Sequence, residues 1–485
     1  MSVVSAGLIL VAVAWPLYLG WPLYRNWMRA IKLDVPIIIS PTSSGSLPWL
    51  SLRYLLDHNL LPARIALTPA TCELFVADRS VVKQVLARRN DFLKPHKITR
   101  TGRFQVEGAD WQRHRKLTAR AFHEKMHETV WWTNTGSVRT TRADMMRLSL
   151  GVLFKVCLNN GGSNNNITGT LTGNIAACHW HLSVVLGAIS RSVTTAQRSN
   201  EEDVITSTKA LGALLTELVE TRRASPNNNL QGDLLSPILA PADHRGLSDD
   251  EAMGNSFLFM FAGHETTANP LIYIIHLLAI FPAWQDWAAA EIDQIICLSE
   301  NGEVPQYGTS FPHLKRLRVI LYETLRLYGP VPTIMRMTSG HDQTITLSDK
   351  VVVIPSNTPV QLNAMALHTN PQQWGPDPLA WKPDRGISKA SNESSEEHIS
   401  KDLSSCLLAW ADGPRVCPGQ KFSQIEVFAV LLRLLKNHRV ELVPRPGQTM
   451  DHARSYAYNL IQNSVLTLTL QMPMAESLGL RWVER

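Results

Sequence analysis

Cys417 lies in residues 410–419, which read W-A-D-G-P-R-V-C-P-G and carry the strongest chemical signal in the sequence. A helical pattern begins a few residues later, and a cysteine at a helix N-terminus has a lowered pKa that favours the metal-binding thiolate. Gly413 and Gly419 would let the backbone approach a flat macrocycle closely, and Arg415 can pair with a carboxylate on such a ligand. Alone, a buried cysteine near a turn is usually a small hydrophobic residue, so other motifs must decide between the two interpretations.

Glu265 and Thr266 stand together inside a long, mostly apolar stretch, residues 251–281. Such a stretch predicts a helix buried through the centre of a domain. An acid next to an alcohol can relay protons to a buried site through water. The alternative for the pair of threonines, Thr266 and Thr267, is a hydrogen bond back to the preceding helical turn. The neighbouring acid and the Ala-Gly pair before it favour the relay.

Two further pairs of side chains share helix faces. Glu323 and Arg326 are three residues apart in an apolar segment, a spacing at which an ion pair forms readily. A charged pair among apolar neighbours needs further polar partners. Trp111 and Arg115 are four residues apart and point the same way from a helix. Each pattern is a weak signal alone, and its position relative to the other motifs makes it informative.

Together these motifs resemble the cytochromes P-450. Residues 410–419 are similar to the family's heme-binding loop, F-x-x-G-x-R-x-C-x-G, with Trp410 in place of the usual Phe. Glu323-Thr-Leu-Arg326 is similar to the family's E-x-x-R motif. The resemblance implies that the Cys417 thiolate is the axial ligand of heme iron, where it pushes electron density toward bound oxygen and favours O–O cleavage.

The resemblance also implies roles for the other motif residues. Glu265 and Thr266 would be catalytic and relay protons to the activated oxygen, with Gly263 leaving room for it. Arg385, in Pro383-Asp-Arg385, would complete a structural cluster behind the heme loop with Glu323 and Arg326. The residues implied to bind the heme, several of them through its propionates, are Trp111, Arg115, Arg336, Arg415 and Cys417.

The fold implied is mainly α with a small β region, forming one catalytic domain over residues 31–485. The motifs occur in family order from Glu251 to the C-terminus, whereas residues 151–195 depart from the family and include an Asn-rich run. Periodicity predicts helices, strands and one surface loop. The helices are predicted over 80–89, 315–328 and 421–438, the strands over 351–354 and 465–470, and the loop over 386–401.

Residues 3–24 contain no charged side chain, and Arg25, Arg29 and Lys32 follow at once. A run of about 20 apolar residues is long enough to cross a bilayer, so residues 1–30 are predicted to be a membrane anchor. The positive-inside rule keeps the following domain on the cytoplasmic side. We expect a single-pass protein of the endoplasmic reticulum membrane.

Net charge and cysteine content limit the classes of partner and site that the chain is expected to have. The formal net charge is +6, which favours acidic partners, but no Lys/Arg block interleaved with aromatic residues points to nucleic acid. Six cysteines are scattered without a C-x-x-C pair, which argues against a zinc site or disulfide framework and for a reducing compartment.

Residues 412–422 look most like fungal microsomal members of the family, often found in secondary metabolism. The implied reaction inserts one atom of dioxygen into an apolar small molecule. Its electrons would come from NADPH through an NADPH–cytochrome reductase, with a small cytochrome as an optional second partner. Basic residues such as Arg415 and Lys421 suit docking to an acidic flavoprotein. Two alternatives remain: a heme-thiolate isomerase or dehydratase that needs no external electrons, and a degenerate heme-binding relative, motivated by residues 151–195.

Overall fold

The computed structural model is rich in helix and contains several small sheets, as predicted. The predicted anchor over residues 1–30 and the divergent segment 151–195 fall largely outside the residues that it describes. The residues that the structure describes are 21, 23–33, 35–39, 63–67, 72–94, 107–132, 141–158, 201–224, 234–239, 247–297, 304–389 and 397–485.

From residue 72 onward, the α-helices of the described residues are, in chain order, α1 (Arg79–Ala87), α2 (Gly108–Ala119), α3 (Glu124–Trp132), α4 (Thr141–Leu158), α5 (Glu201–Ala224), α6 (Ser236–Leu239), α7 (Asp249–Ile280), α8 (Pro282–Cys297), α9 (Tyr307–Ser310), α10 (Lys315–Tyr328), α11 (Ala364–His368), α12 (Pro371–Trp374), α13 (Lys401–Cys406), α14 (Gln420–Asn437) and α15 (Met450–Gln462). The three helices predicted from periodicity are among them as α1, α10 and α14, with ends shifted by no more than two residues.

The chain divides into two compact units. Unit 1 comprises residues 1–101, 332–379 and 410–416, and unit 2 comprises residues 102–331, 380–409 and 417–485. The strands of unit 1 are β1 (Ile37–Ile39), β2 (Ala63–Leu67), β3 (Cys72–Val76), β4 (Phe92–Leu93), β5 (Thr333–Thr338), β6 (Gln343–Leu347), β7 (Lys350–Ile354) and β8 (Pro359–Asn363). They form a mixed six-stranded sheet in the order β1-β2-β3-β8-β5-β4 and a separate antiparallel hairpin of β6 and β7, where a strand was predicted.

Unit 2 is organised around α7, the long helix predicted over residues 251–281. A capping box fixes its start: the Glu251 amide donates to Ser248 Oγ (3.2 Å), and the Ser248 amide donates to Glu251 Oε2 (2.8 Å). Acidic residues in the first turn also interact favourably with the helix dipole. From Ala268 to Ile280 every residue is buried, whereas Ala262, one turn before Thr266, is exposed. The helix is therefore a core element whose middle presents an open face.

Two of the predictions for unit 2 need correction. Residues 465–470 do not form one strand. The chain turns after β12 (Val465–Leu466), which pairs antiparallel with β13 (Leu470–Gln471). Residues 386–401 are not all loop, because β9 (Ile387–Lys389) pairs antiparallel with β10 (Glu397–Ile399). A bidentate ion pair connects β10 to α10: Arg316 Nε and Nη2 donate to the Glu397 carboxylate at 2.9 and 3.0 Å.

The C-terminal strands of unit 2, β11 (His438–Val443) and β14 (Gly479–Glu484), form a third antiparallel pair, which follows α14. Within the described residues no single helix has the length and hydropathy to span a membrane. The pair α7 and α8 meets that criterion only jointly and is bent by 110°.

Candidate active site

Cys417 lies three residues before the first residue of α14, and its side chain is exposed. The Gln420 amide donates to the Cys417 carbonyl (3.4 Å), which forms the turn that leads into the helix. A methyl group added at Gly419 would lie 3.8 Å from Cys417 Sγ, an ordinary contact. The thiol therefore stands at a helix N-terminus and is open to a ligand, the placement that favours a thiolate.

Gly413 has a different role from the predicted one. Its φ is +72°, and a Cβ there would lie 2.6 Å from the Leu86 carbonyl oxygen at the end of α1. Glycine is thus required for packing against the helix, and close approach to a macrocycle does not explain it. Gly419 has a φ of −84°, which any residue adopts.

Two of the predicted heme-binding cations belong to unit 1. Arg336 lies on β5 and is buried, with Nη1 donating to the Met335 carbonyl (2.9 Å). Arg415 ends the short 3-10 helix Gly413–Arg415 and is half-buried.

Trp111 and Arg115 lie on one face of α2 in unit 2, and both are half-buried. Arg115 has no salt bridge within the described ranges, so its charge is available to an anionic ligand group. The propionate-binding role of the two residues stays a prediction.

A clamp that sequence reasoning missed fixes α2 to the start of α7. Arg113 donates to both carboxylate oxygens of Glu251, one of them at 3.0 Å, and His114 Nε2 lies 3.2 Å from Glu251 Oε1. The hydrogen bonds from Arg113 hold the pKa of the Glu251 carboxyl well below its usual range. Because Arg113 lies between Trp111 and Arg115, the clamp orients the helix that carries both.

Thr266 and Thr267 both hydrogen-bond back to the preceding turn of α7. Thr266 Oγ1 donates to the Ala262 carbonyl (2.6 Å), and Thr267 Oγ1 donates to the Gly263 carbonyl (3.0 Å). This was the alternative interpretation of the pair. It leaves the lone pairs of Thr266 Oγ1 able to accept a hydrogen bond from water.

The space beside Gly263 does not form the predicted opening for oxygen. A Cβ at Gly263 would lie 3.2 Å from both methyl carbons of Leu153. Glycine at this position therefore allows α4 to approach α7 closely, and any room for a small ligand must lie on another side of the helix.

Glu265 is buried, and burial raises the pKa of its carboxyl. Gln471 Nε2 on β13 donates to Glu265 Oε1, and Thr469 also hydrogen-bonds the carboxyl. Sequence reasoning missed both partners, since they lie about 200 residues away in the chain and belong to no motif. The acid of the predicted relay is thus held toward the β12–β13 hairpin.

Glu323, Arg326 and Arg385 meet as the sequence predicts. Arg326 Nε and Nη2 each donate to Glu323 at 2.7 Å, and both side chains are almost completely buried. The Lys382 amide donates to Glu323 (3.0 Å), and Arg385 Nε lies 3.5 Å from the same carboxylate. The charged pair therefore has the further partners that a buried pair needs.

Trp381 lies two residues before Pro383, and the structure shows how its polar group is accommodated. Its indole Nε1 donates to Thr324 Oγ1 (3.1 Å), so the extra polar group of Trp is satisfied although the side chain is buried. The ring also stacks on Phe281, with centroids 5.9 Å apart.

Lys421 on the first turn of α14 forms an ion pair. Its Nζ lies 2.5 Å from Glu124 Oε1 on α3 and 5.8 Å from the ring centre of Tyr307. Its hydrogen bond lowers the pKa of the Glu124 carboxyl. The prediction that Lys421 offers its charge to an acidic flavoprotein must therefore include this competing carboxylate.

The residues of unit 2 fit a heme on its thiolate side. Phe122 packs edge-on against Phe259 of α7 and Phe422 of α14, with centroids 5.4 and 6.4 Å apart, so these two helices converge there. The exposed Cys417 thiol would supply a soft sulfur donor to the iron of a bound heme. Within the described part of the chain, no cluster of three His, Cys, Asp or Glu side chains forms a competing metal site.

Comparison with known proteins identifies the family of the chain. The Cytochrome P450 family model matches residues 73–464. A cytochrome P450 monooxygenase of Arthrobotrys oligospora is 27% identical over 474 residues, covering 84% of this chain and 81% of that protein. The phomenoic acid biosynthesis cluster cytochrome P450 monooxygenase of Leptosphaeria maculans is 34% identical over 237 residues, covering 45% and 40%. A cytochrome P450 monooxygenase of Penicillium rubens is 26% identical, covering 78% and 74%.

The chain belongs to the cytochrome P450 family and is a heme monooxygenase.

Proposed function

We propose that this monooxygenase oxidises an apolar small molecule of fungal secondary metabolism, with Cys417 as the iron ligand and electrons from NADPH delivered by a reductase. The exposed Cys417 thiol at the start of α14, inside the matched family region, carries the proposal. The relative in the phomenoic acid cluster supports a role in secondary metabolism.

The chain's own residues would divide the work between holding the heme and delivering protons. When bound, the heme supplies the oxygen-activating chemistry, and a thiolate ligand increases its electron density. Cys417 would hold the iron, while Arg115 and Trp111 on α2 would bind a propionate. Glu265 would hold a proton on its carboxyl, and Thr266 Oγ1 would accept a hydrogen bond from the water that carries it.

We also propose that the protein is anchored to the endoplasmic reticulum membrane with its catalytic domain in the cytoplasm. Trp21, Tyr24 and Trp27 support this, since all three are exposed and successive ring centres are 6.0 and 6.1 Å apart. Such a row of aromatic rings is typical of the membrane–water interface. Deletion of residues 1–24 should release much of the protein from membranes. Complete retention of the shortened protein would contradict the anchor.

The iron ligand is tested by the absorption spectrum of the reduced, carbon monoxide-bound protein. Cys417→Ala should abolish the thiolate-type Soret band, whereas Cys297→Ala at the end of α8, another exposed cysteine, should leave it unchanged. Cys406→Ala should also leave it unchanged, since no heme-loop pattern surrounds that residue. A persisting thiolate band in Cys417→Ala would show that another residue holds the iron.

Dependence on NADPH separates the proposal from the isomerase or dehydratase alternative. With the reductase present, product should form only when NADPH is supplied. Turnover without NADPH would favour the alternative. Absence of a Soret band in the unmodified protein would favour a degenerate relative.

A further inference from the structure

The carboxyl of Glu265 is held by a chain of hydrogen bonds that ends on a cation. Gln471 Nε2 donates to Glu265 Oε1, and Gln471 Oε1 accepts from Arg142 Nη2 at 2.6 Å. Arg142 lies in the first turn of α4, and its Nη1 also donates to the Met472 carbonyl (3.3 Å). Three elements of unit 2, α4, β13 and α7, therefore meet at one acid.

The orientation of the Gln471 amide follows from its two neighbours. An arginine has only donors, so the amide oxygen must face Arg142. The amide nitrogen then faces Glu265, where a carboxylate accepts the hydrogen bond. The opposite orientation would place two acceptors together at Glu265 and two donors together at Arg142. Arg142 thus fixes the direction in which Gln471 donates.

Thr469 is oriented in a similar way. Asn269, one turn after Glu265 on α7, donates from Nδ2 to Thr469 Oγ1 at 3.0 Å. Because that oxygen is already accepting a hydrogen bond, its own hydrogen is directed elsewhere, and Glu265 is the neighbouring acceptor. The carboxyl therefore receives two donors from the β12–β13 hairpin.

Two charged side chains affect the ionisation of Glu265. Arg142 lies behind Gln471 and favours the ionised carboxylate. Glu476 lies 3.8 Å from Arg142 Nε and partly offsets that charge. Burial opposes ionisation, and the Gln471, Thr469 and Arg142 contacts counteract it.

We propose that Gln471, oriented by Arg142, is a positioning residue for the catalytic acid Glu265: it holds the carboxyl toward the hairpin and stabilises its ionised form. This inference rests on the proposed monooxygenase function, in which Glu265 must release and regain a proton. Hydrogen bonds to a charged group are stronger than those to a neutral one. The hydrogen bond from Gln471 therefore lowers the pKa of the buried Glu265 carboxyl.

The first test follows the pH dependence of coupling, measured as product formed per NADPH with 7-ethoxycoumarin as the surrogate substrate. Gln471→Leu should shift the midpoint of this profile upward by about one pH unit, the effect expected for one lost hydrogen bond to a carboxylate. Gln462→Leu, the same change at an exposed position at the end of α15, should leave the profile unchanged. The thiolate spectrum with carbon monoxide should be the same in all variants.

The second test does not depend on turnover. Urea unfolding of the holoprotein at pH 6 and pH 8 should show that Gln471→Leu loses more stability at pH 8, because a carboxyl is ionised to a greater extent at the higher pH. In a Glu265→Gln background this pH-dependent difference should disappear, since no charge remains for Gln471 to stabilise. Arg142→Met should act in the same direction as Gln471→Leu.

The outcomes distinguish this inference from the proposed function. An unfolding difference for Gln471→Leu that is equal at both pH values, or that persists with Glu265→Gln, would overturn the positioning role. A pH-dependent unfolding difference without NADPH-dependent product would leave the contact intact and remove the proposed reaction. An unshifted coupling profile in an active enzyme would show that Gln471 does not set the protonation of Glu265.

Discussion

Replacing Glu323 by Gln should destabilise the protein strongly. The substitution keeps the shape of the side chain but removes the charge that balances Arg326, a guanidinium with 0% exposure. It also replaces a carboxylate that accepts two 2.7 Å hydrogen bonds by an amide, in which only the oxygen accepts and the nitrogen donates. Breaking a buried ion pair on one side typically costs about 3–5 kcal/mol. Total stabilities are only about 5–15 kcal/mol, so we expect a large fall in the free energy of unfolding.

The opposite change, Arg326→Met, should cost less. Glu323 would keep the hydrogen bond from the Lys382 amide (3.0 Å) and the charge of Arg385 (3.5 Å). In Arg326→Met the buried carboxylate therefore keeps a charged partner, whereas in Glu323→Gln the buried guanidinium loses its carboxylate.

Urea unfolding followed by circular dichroism measures both losses. The matched control is Arg481→Met, since Arg481 binds Glu441 at 2.9 and 3.0 Å on the surface of the β11–β14 pair. With Arg481 63% exposed, its loss should cost no more than about 1 kcal/mol. A loss in Glu323→Gln as small as in the control, or a larger loss in Arg326→Met, would refute this reasoning.

Three other perturbations have distinct readouts. Complete burial raises the pKa of Glu426 to about 8 from its ordinary 4.5, so folding favours the protonated carboxyl. Its contribution is complete below pH 4.5 and is lost as the pH rises through 8, and Glu426→Gln should flatten the fall in unfolding midpoint between pH 4.5 and pH 8. Gly413→Ala should lower the melting temperature by the equivalent of about 1–3 kcal/mol. The added Cβ would lie too close to the Leu86 carbonyl oxygen, and the residue has a positive φ. Glu251→Ala should speed hydrogen exchange in α2 by releasing Arg113, with no change in α15.

The sequence was most informative where a motif is local. Helical periodicity located α10 and α14, and the three-residue spacing of Glu323 and Arg326 predicted their contact. Long-range contacts were invisible, because nothing at Gln471 indicates that it folds against Glu265, 206 residues earlier. The roles of the glycines were also beyond sequence reasoning: Gly263 could equally face a ligand or a neighbouring helix, and only the position of Leu153 decides.

The ion pair of Lys421 with Glu124 changes how a partner protein would sense this surface. At distances beyond the screening length, about 8 Å in physiological salt, the pair acts as a dipole and contributes no net charge. The formal charge of +6 therefore does not translate into attraction at this point of α14. An acidic flavoprotein that binds here must first exchange partners with Glu124, so Lys421 would contribute to the lifetime of the complex more than to the rate of encounter.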